Sequence, residues 1–359
     1  MSAMALVWTA IGGCTILLFV LYGYVVLAKR RWLRAGRFVE DRLEAIEAAL
    51  QRNADAKLPL DALVAMAAKH RAWRVATQDF LARRAALGGT DEEVERTRAL
   101  ARACFADAYR RGLTAGRWSE RMNAIGYIAL FRLEEFWPEL AWALNDERRT
   151  QPERMLALRA LATLQRVEAI DFLAASPKGL TDHDIRHALM PLGEGVLHRC
   201  CVSFDNFAPW VQTNILDVLR VRNIRDEATL RLFERALRSD SVELRIRAMK
   251  GIANFGTVGE EAEEAFLARM VDWRGMHWSE KLMAARWMGA IPNDRYPPLL
   301  EQMLEDAHHA VRYQAMQSLM EYPGRRARLE RLSAAQSDRF AGVLAQEMME
   351  RYGYERHRA

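Results

Sequence analysis

A block of sequence that begins at Trp118 recurs at Trp278, and this internal repeat limits the folds open to the chain more than any other feature. The first copy reads Trp-Ser-Glu-Arg-Met-Asn-Ala and the second reads Trp-Ser-Glu-Lys-Leu-Met-Ala. An Asp follows each Trp after 28 positions, at Asp146 and Asp306. Repeats with a period of a few tens of residues are typical of chains in which small units stack to complete a shared core.

The repeated unit is predicted to be a pair of helices. Trp210 is followed by Asp240 after 30 positions, and apolar residues recur three and four apart in the run 230–237 between them. A further helical pattern starts after each Asp. Alternating Val, Ile and Thr runs typical of strands are absent, and Gly and Pro fall mostly between helical patterns. The sequence therefore predicts an all-α fold, an α-solenoid of stacked helix pairs.

The helices that follow two of the Asp residues resemble the inner helix of HEAT repeats. The matching positions are Asp240, Leu244, Arg245 and Ala248 in one unit and Asp306, Val311, Arg312 and Ala315 in another. The match is less regular at 118–170, and the resemblance covers about residues 118–325. It implies that the Leu or Val faces the core, that the Ala allows close helix contact, and that Asp and Arg form a ladder between successive repeats. HEAT-like solenoids mostly present a binding surface and rarely catalyse reactions.

The first 28 residues contain no charged side chain, and this stretch is predicted to cross a membrane once. The basic residues that follow are Lys29, Arg30, Arg31, Arg34 and Arg37. The positive-inside rule places this cluster against lipid at the cytoplasmic face, with the N-terminus outside. No basic residue precedes the apolar run, which argues against a cleaved signal peptide. A signal anchor in the reverse sense and a buried core helix are the open alternatives.

Four parts of the chain are predicted. They are a transmembrane helix at 1–28, a basic juxtamembrane helix or stalk at 29–58, a helical hairpin at 59–117 and the HEAT-like repeat solenoid at 118–359. The hairpin is expected to have helices at about 60–86 and 91–112, with Thr90 as the N-cap of the second. An apolar seam in the stalk consists of Val39, Leu43, Ile46 and Leu50. It indicates either a homodimer or a helix that packs on its own body, and we favour the second.

Charge and cysteine content narrow the classes of function. The 52 basic and 47 acidic residues leave a net charge of +5, which the five basic residues beside the apolar stretch account for, so no nucleic acid is expected as a partner. The four cysteines have no disulfide-framework spacing and agree with a reducing compartment. No phosphate loop, dinucleotide fingerprint, zincin motif or nucleophile elbow is present. We therefore expect neither an enzyme nor a cofactor.

One group of side chains offers an alternative to this expectation. His183 and His187 lie four apart on a predicted helix, and His198, Cys200 and Cys201 follow. Two imidazoles on one helical face and a thiolate could ligate zinc, which would make the chain a metal-binding protein or an all-helical enzyme. The break at 191–195 separates the two sets, and free cysteines are ordinary core residues. The sequence favours the interpretation without a metal.

A cluster of large apolar side chains is the candidate partner-binding site, because aromatic residues and Met are enriched where proteins bind. The candidates are Trp273, Met276 and His277. Core packing is an equal alternative for Trp273 and Met276, and Trp278 is expected in the core because it shares its repeat position with Trp118. The acidic run at 260–264 is expected to be a solvated face, with an acidic docking patch as the alternative.

The leading hypothesis is a membrane-anchored scaffold whose cytoplasmic solenoid binds another protein at the bacterial plasma membrane. The family resemblance implies an accessory subunit of a bacterial envelope or exopolysaccharide machinery. An integral membrane protein such as a glycosyltransferase is the partner it implies, and a signalling adaptor is equally compatible.

Overall fold

The computed structural model of the chain describes residues 12–30, 71–175, 179–334 and 339–356, together with single positions at 8, 33, 34, 37 and 41. All regular structure in these residues is helical, and no strand occurs among them. The fold is therefore all-α, as the sequence predicts. The predicted stalk seam and the first part of the predicted hairpin lie outside the described residues.

The helices are named here in chain order. They are α1 (Gly12–Arg30), α2 (Arg71–Leu87), α3 (Asp91–Ala115), α4 (Trp118–Leu130), α5 (Trp137–Asn145), α6 (Gln151–Thr163), α7 (Glu168–Ala174), α8 (Asp182–Leu189), α9 (Glu194–Val202), α10 (Pro209–Val221), α11 (Glu227–Leu237), α12 (Val242–Phe255), α13 (Glu260–Met270), α14 (Trp278–Ala290), α15 (Tyr296–Met303), α16 (His309–Leu319), α17 (Arg325–Ala334) and α18 (Arg339–Arg356). Short 3-10 turns lie at Glu134–Phe136, Phe204–Asn206 and Trp273–Gly275.

Helix α1 is long and apolar enough to cross a membrane by length and composition, alone among the described helices, and none of its apolar window is buried in the protein. Lys29 and Arg30 end α1, and Arg34 and Arg37 are exposed beyond it, whereas Arg31 lies outside the described residues.

The chain forms two compact units, Met1–Leu164 and Gln165–Ala359, which we call the first and second unit. In the first unit, α2, α4 and α6 contact one another in succession, and α3 packs on α2 and α4 while α5 packs on α6. In the second unit, α8, α10, α12, α14, α16 and α18 form an uninterrupted series of neighbours, which we call the even layer. Other helices pack on this series or on one another: α11 packs on α12, α15 on α14 and α16, and α17 on α18, while α9 and α13 contact α11. Each unit is thus a solenoid of stacked helix pairs, as predicted.

Two predictions from the HEAT resemblance concern the core, and both are confirmed. Ala248 and Ala315 are completely buried, and Leu244 and Val311 face the interior. A close approach also explains one glycine in α12: a Cβ on Gly251 would lie 2.5 Å from Cδ1 and Cζ of the buried Phe233. Helices α11 and α12 therefore pack closely at a point where a side chain would not fit.

The helix-start prediction at Thr90 is also confirmed. The Thr90 hydroxyl accepts a hydrogen bond from the Glu93 amide at 3.4 Å, and the Glu93 carboxylate accepts one from the Thr90 amide at 2.9 Å. This reciprocal capping box starts α3, whose first turn is acidic. The preceding Gly88 has a φ of +71°, a left-handed conformation that glycine adopts without strain and that turns the chain between α2 and α3.

The expectation that Trp278 lies in the core is wrong. Trp278 is 39 % exposed, and its repeat partner Trp118 is 49 % exposed. Each residue is the first of its helix, so its side chain lies at the rim of the solenoid rather than inside it. There Trp278 stacks on His308 with ring centroids 5.0 Å apart, and Trp118 donates its indole hydrogen to Thr150 Oγ1 at 3.1 Å.

Candidate functional site

Buried polar side chains join successive helices of the even layer. Arg245 on α12 donates two hydrogen bonds to Glu280 on α14, from Nε to Oε1 at 2.6 Å and from Nη2 to Oε2 at 3.0 Å. The Arg245 and Glu280 side chains are only 5 % and 1 % exposed. Arg269 adds a third bond to Glu280 Oε1 at 2.9 Å. Because this pairing satisfies charges that are out of water, it fixes the register of α12 against α14.

Other pairs repeat the arrangement, and we call the whole set the polar ladder. Lys281 Nζ donates to Asp306 Oδ2 at 2.8 Å, and Asn214 Nδ2 donates to Asp182 Oδ1 at 2.9 Å. The first unit has its own pair, in which Arg121 Nε donates to the buried Glu153 Oε1 at 2.5 Å. Partners in these pairs are mostly about one repeat apart in sequence. The polar ladder is therefore an interaction between repeats.

The observed polar ladder has different partners from the ladder that the HEAT resemblance implies. The HEAT resemblance pairs Asp with Arg, but Nη1 of Arg245 donates to the main-chain carbonyls of Ser239 and Asp240, at 2.7 and 2.8 Å. Arg312 likewise donates to the Asp306 carbonyl at 2.6 Å. Each arginine thus closes the loop before its own helix, and for Arg245 a Glu from the next repeat supplies the carboxylate. The sequence feature that could have identified Glu280 as the partner is the repeated Trp-Ser-Glu block, because Glu280 is its third residue.

The surroundings of Glu153 in the polar ladder strongly favour the ionised form of its carboxyl group. Burial raises the pKa of the carboxyl group, but hydrogen bonds from Arg121 and from Thr150 lower it more, and the resulting pKa is about 2. Arg149 Nη1 also lies 3.3 Å from Glu153 Oε1. The carboxylate is therefore ionised throughout the pH range in which proteins normally work.

We expect this pair to contribute stability only while Glu153 is charged. Its folded pKa of about 2 lies below its ordinary value of 4.5, so the contribution is complete above about pH 4.5 and disappears as the pH falls towards 2. Replacing Glu153→Gln should lower the free energy of unfolding near pH 7 by on the order of 2 kcal/mol, with a smaller difference at pH 3. Thermal unfolding at a series of pH values measures this. Glu92→Gln, at an exposed ion pair of the same unit, should change little at any pH.

Four consecutive helices of the even layer carry a polar side chain at the same position in every helix, of which one is exposed and three are half-buried. These residues are Asp217, Lys250, Arg286 and Gln317, each nine positions after its N-cap residue, which is Ala208, Ser241, His277 or His308. We call them the ninth-position row. Because the helices are neighbours and the register is the same, the four side chains lie on one face.

Positive charge is in excess along this row. Asp217 has ion pairs with Arg247 at 2.8 Å and with Arg220 at 3.4 Å, and Arg247 also pairs with Glu243 at 2.8 Å. Lys250 and Arg286 have no ion-pair partner in the part of the chain that the structure describes. Burial lowers the pKa of Lys250, and the neighbouring Arg247 lowers it further. The surroundings therefore disfavour the Lys250 charge in the absence of an added anion.

A groove of about 620 Å³ continues the row between α14, α16 and α18. Its polar lining consists of Arg286, Gln314, Gln317, Ser318, Glu321 and Arg351. Gly289 lies at the base, where a Cβ would be 2.7 Å from Ser318 Cβ, so α14 and α16 are in close contact there. Amide side chains donate and accept hydrogen bonds, as does a peptide main chain, so the groove is chemically suited to an extended peptide.

The predicted partner-binding residues are only partly accessible. Trp273 is 3 % exposed and packs under Lys281, whose Nζ lies 5.3 Å from the ring centroid. Met276 is half-buried and lines a small cavity beside Glu280. His277 is exposed, and its ring nitrogen Nδ1 caps α14 by accepting from the Ser279 amide at 3.4 Å. Of the three, His277 alone presents its side chain openly to solvent.

The residues of the zinc alternative lie in different environments. The His183 and His187 rings are 4.1 Å apart on the exposed side of α8. Cys200 and Cys201 are buried in α9, where burial raises the pKa of the Cys200 thiol to about 12 and that of Cys201 to about 11. Zinc binds the thiolate form, which these surroundings disfavour. Among the described residues, no group of three or more His, Cys, Asp or Glu side chains is arranged to hold a metal ion.

Two members of the acidic run on α13, Glu263 and Glu264, have partners on the next repeat. Glu263 accepts hydrogen bonds from Asn293 at 2.6 Å and from the Tyr296 hydroxyl at 2.7 Å. Glu264 pairs with Arg295 at 2.7 Å. These contacts join α13 to α15 and the loop before it, so the structure gives this run a role in the packing of neighbouring repeats.

No protein-family model matches the chain, and no curated protein matches it. Engineered proteins are among the solved structures that resemble it. One is an engineered protein of the Northeast Structural Genomics Consortium, with 17 % identity, a TM-score of 0.36, and coverage of 88 % of this chain and 93 % of that one. Another is a designed armadillo repeat protein in complex with the peptide (KR)4, with 16 % identity, a TM-score of 0.24, and coverage of 73 % and 98 %. A third belongs to computationally designed armadillo repeat proteins for modular peptide recognition, with 17 % identity, a TM-score of 0.24, and coverage of 73 % and 99 %.

Proposed function

We propose that this chain is a membrane-tethered interaction protein whose second unit binds a segment of a partner protein. The observation that carries the proposal is the exposed side of the even layer, where the ninth-position row leads into the groove between α14, α16 and α18. The polar ladder holds the helices below it in register, so the surface is preformed. Preformed surfaces lose less conformational entropy on binding and therefore bind more tightly for the same contacts.

Membrane tethering is supported by α1. Its apolar side chains, among them Leu18, Phe19 and Val20, are more than half exposed, and none of its apolar window is buried by the described part of the protein. A lipid bilayer would remove this surface from water, which is favourable by about 25 cal/mol per Å². The basic residues that follow fit the anionic cytoplasmic leaflet, so the proposal places the N-terminus outside and both units in the cytoplasm.

The tether restricts the partner to the neighbourhood of the membrane. Confinement raises the effective concentration of the second unit towards membrane proteins, so a groove of modest affinity would be sufficient. We propose an integral membrane protein of a bacterial inner membrane as the partner, and a glycosyltransferase of an envelope or exopolysaccharide machinery is the specific hypothesis that the HEAT resemblance implies.

Photo-cross-linking in the membranes of the producing cell tests both parts of the proposal. The photoreactive residue benzoylphenylalanine at Gln317 should give a defined cross-link to a membrane protein, whereas the same residue at the exposed Arg199 on α9 should not. Deletion of residues 1–37 should release the protein from the membrane fraction at high salt and weaken the cross-link from Gln317.

Two results would contradict the proposal. A deletion variant that stays membrane-bound at high salt would show that α1 is not the tether. Equal cross-linking from Gln317 and Arg199 would show that the even layer is not the binding surface.

A further inference from the structure

Lys250 and Arg286 are neighbours in the ninth-position row, and neither has an ion-pair partner among the described residues. Arg286 is exposed, and Lys250 is half-buried. The charged groups around them are Arg220, Arg247, Asp217 and Glu243 on α10 and α12, and Arg351 and Glu321 in the groove, where Arg351 also pairs with Glu347 at 3.7 Å. Positive groups outnumber negative ones in this set once Lys250 and Arg286 are included. The carboxylate of Asp217 is paired with two arginines, and although it raises the pKa of Lys250, burial and Arg247 lower that pKa more.

Several charges that join neighbouring repeats of the second unit are matched within the protein. Glu263 and Glu264 on α13 both pair with Arg295, and Glu280 is surrounded by Arg245 and Arg269. Charges that hold the repeats together are therefore matched in the protein. Two adjacent cations in the row without such partners are instead suited to an anion from another molecule.

The neighbouring amides indicate the form of that anion. Gln317 is the next member of the row, and Gln314 lies one helical turn before it, so both amide groups line the groove that follows Arg286. Amide groups pair with a peptide main chain, whereas a continuous polyanion would also meet the carboxylates of Asp217, Glu243 and Glu321. The alternation of cations, carboxylates and amides favours a peptide over a nucleic acid.

We infer that the ninth-position row binds an extended peptide segment of the partner that bears acidic side chains, which pair with Lys250 and Arg286 while Gln314 and Gln317 bond to its main chain. The inference rests on the proposed function and names the chemistry of the partner. Packed helix axes lie about 8–10 Å apart. Alternate side chains of an extended peptide lie about 6.7 Å apart on one side. Long Lys and Arg side chains span this difference, so the expected motif has acidic residues at alternate positions.

Fluorescence anisotropy with the full-length protein in a mild detergent tests the inference. The probes are a labelled dodecapeptide of alternating Glu and Ser, its counterpart of alternating Lys and Ser, and the single-stranded oligonucleotide dT12. The Glu–Ser peptide should bind at least tenfold more tightly than the Lys–Ser peptide, and its affinity should fall as salt is added.

Charge reversal locates the binding surface. The double variant Lys250→Glu, Arg286→Glu should weaken the Glu–Ser peptide at least tenfold and strengthen the Lys–Ser peptide. The matched control Arg199→Glu, Arg225→Glu makes the same change in net charge at exposed residues away from the row, and it should leave both affinities within twofold. Neither Lys250 nor Arg286 takes part in the polar ladder, so the double variant should fold, which circular dichroism checks.

Three outcomes would overturn the inference. In the first, the acidic peptide binds no more tightly than the basic one. In the second, the control variant weakens binding of the acidic peptide as much as the double variant does. In the third, dT12 binds more tightly than the acidic peptide and is equally sensitive to charge reversal. If any of these occurred while benzoylphenylalanine at Gln317 still cross-linked a membrane protein, the proposed function would stand and the acidic chemistry alone would be wrong.

Discussion

Replacing Glu280→Ala is expected to lower the free energy of unfolding of the second unit by about 3–5 kcal/mol, because it removes one member of a buried ion pair. The Arg245 guanidinium would remain 5 % exposed without the carboxylate that now accepts two of its hydrogen bonds. Arg269 would lose its partner as well, but it is 42 % exposed and water can solvate it. Most of the loss therefore comes from Arg245.

Two further variants distinguish the loss of this buried ion pair from a general effect of replacing acidic residues. Glu280→Gln keeps the shape and one acceptor oxygen, and it should cost roughly half as much, since a neutral acceptor bonds arginine more weakly than a carboxylate does. Glu261→Ala removes an exposed ion pair with Arg238 on the same unit and should cost less than about 0.5 kcal/mol.

Hydrogen exchange followed by mass spectrometry is the appropriate measurement, since it reports each helix of the full-length protein separately. Faster exchange should be concentrated in α12 and α14, which the pair joins. A Glu280→Ala protein with unchanged exchange in these helices would show that the polar ladder does not stabilise the stack.

Replacing Gly251→Ala is expected to lower the free energy of unfolding by about 1–3 kcal/mol, because the added methyl group overlaps the Phe233 ring. The ring is completely buried and also packs edge-to-face on Phe255, with centroids 6.1 Å apart, so it has no free space to move into. Helices α11 and α12 would have to separate. A matched control is Gly126→Ala in α4, where no atom lies within 4 Å of the added Cβ. That change should raise the stability by up to about 1 kcal/mol through helix propensity.

A double-mutant cycle tests whether overlap with the Phe233 ring causes the loss of stability in Gly251→Ala. Phe233→Leu alone leaves a cavity and should cost about 1–2 kcal/mol. Together with Gly251→Ala, the shorter side chain leaves room for the methyl group, so the double variant should be at least about 1 kcal/mol more stable than the sum of the single changes predicts. Urea unfolding of the full-length proteins provides the four values. Additive changes would mean that Gly251 is required for a reason other than the Phe233 ring.

The features predicted successfully from the sequence are those encoded within a single helix. The spacing of apolar residues in 230–237 identified α11, and the Thr90 cap identified the start of α3. Small residues in a repeated motif identified the tight packing at Ala248 and Ala315. Each of these signals depends on residues within about one or two turns of one another, and such local patterns survive whatever the tertiary arrangement is.

Features that depend on two repeats were predicted incorrectly or missed. Arg245 and Glu280 are 35 residues apart, and nothing local to either one indicates the other. Trp278 was assigned to the core because its position repeats, but a repeated position at a helix start also lies at the solenoid rim. The ninth-position row was missed because it requires the N-cap of each helix, and the caps at Ser241 and His277 became known only from the structure.

The polar ladder also restricts how a chain of this kind can gain or lose length in evolution. The charged pairs take their cation from one repeat and their carboxylate from another, so a duplication that is cut between them adds a charged side chain without a partner to the stack. A cut that keeps donor and acceptor in phase adds a complete pair and leaves the older pairs unchanged. Gene duplications in steps of whole repeats are therefore tolerated, while insertions of other lengths inside the stack place a charge in the interior without a partner.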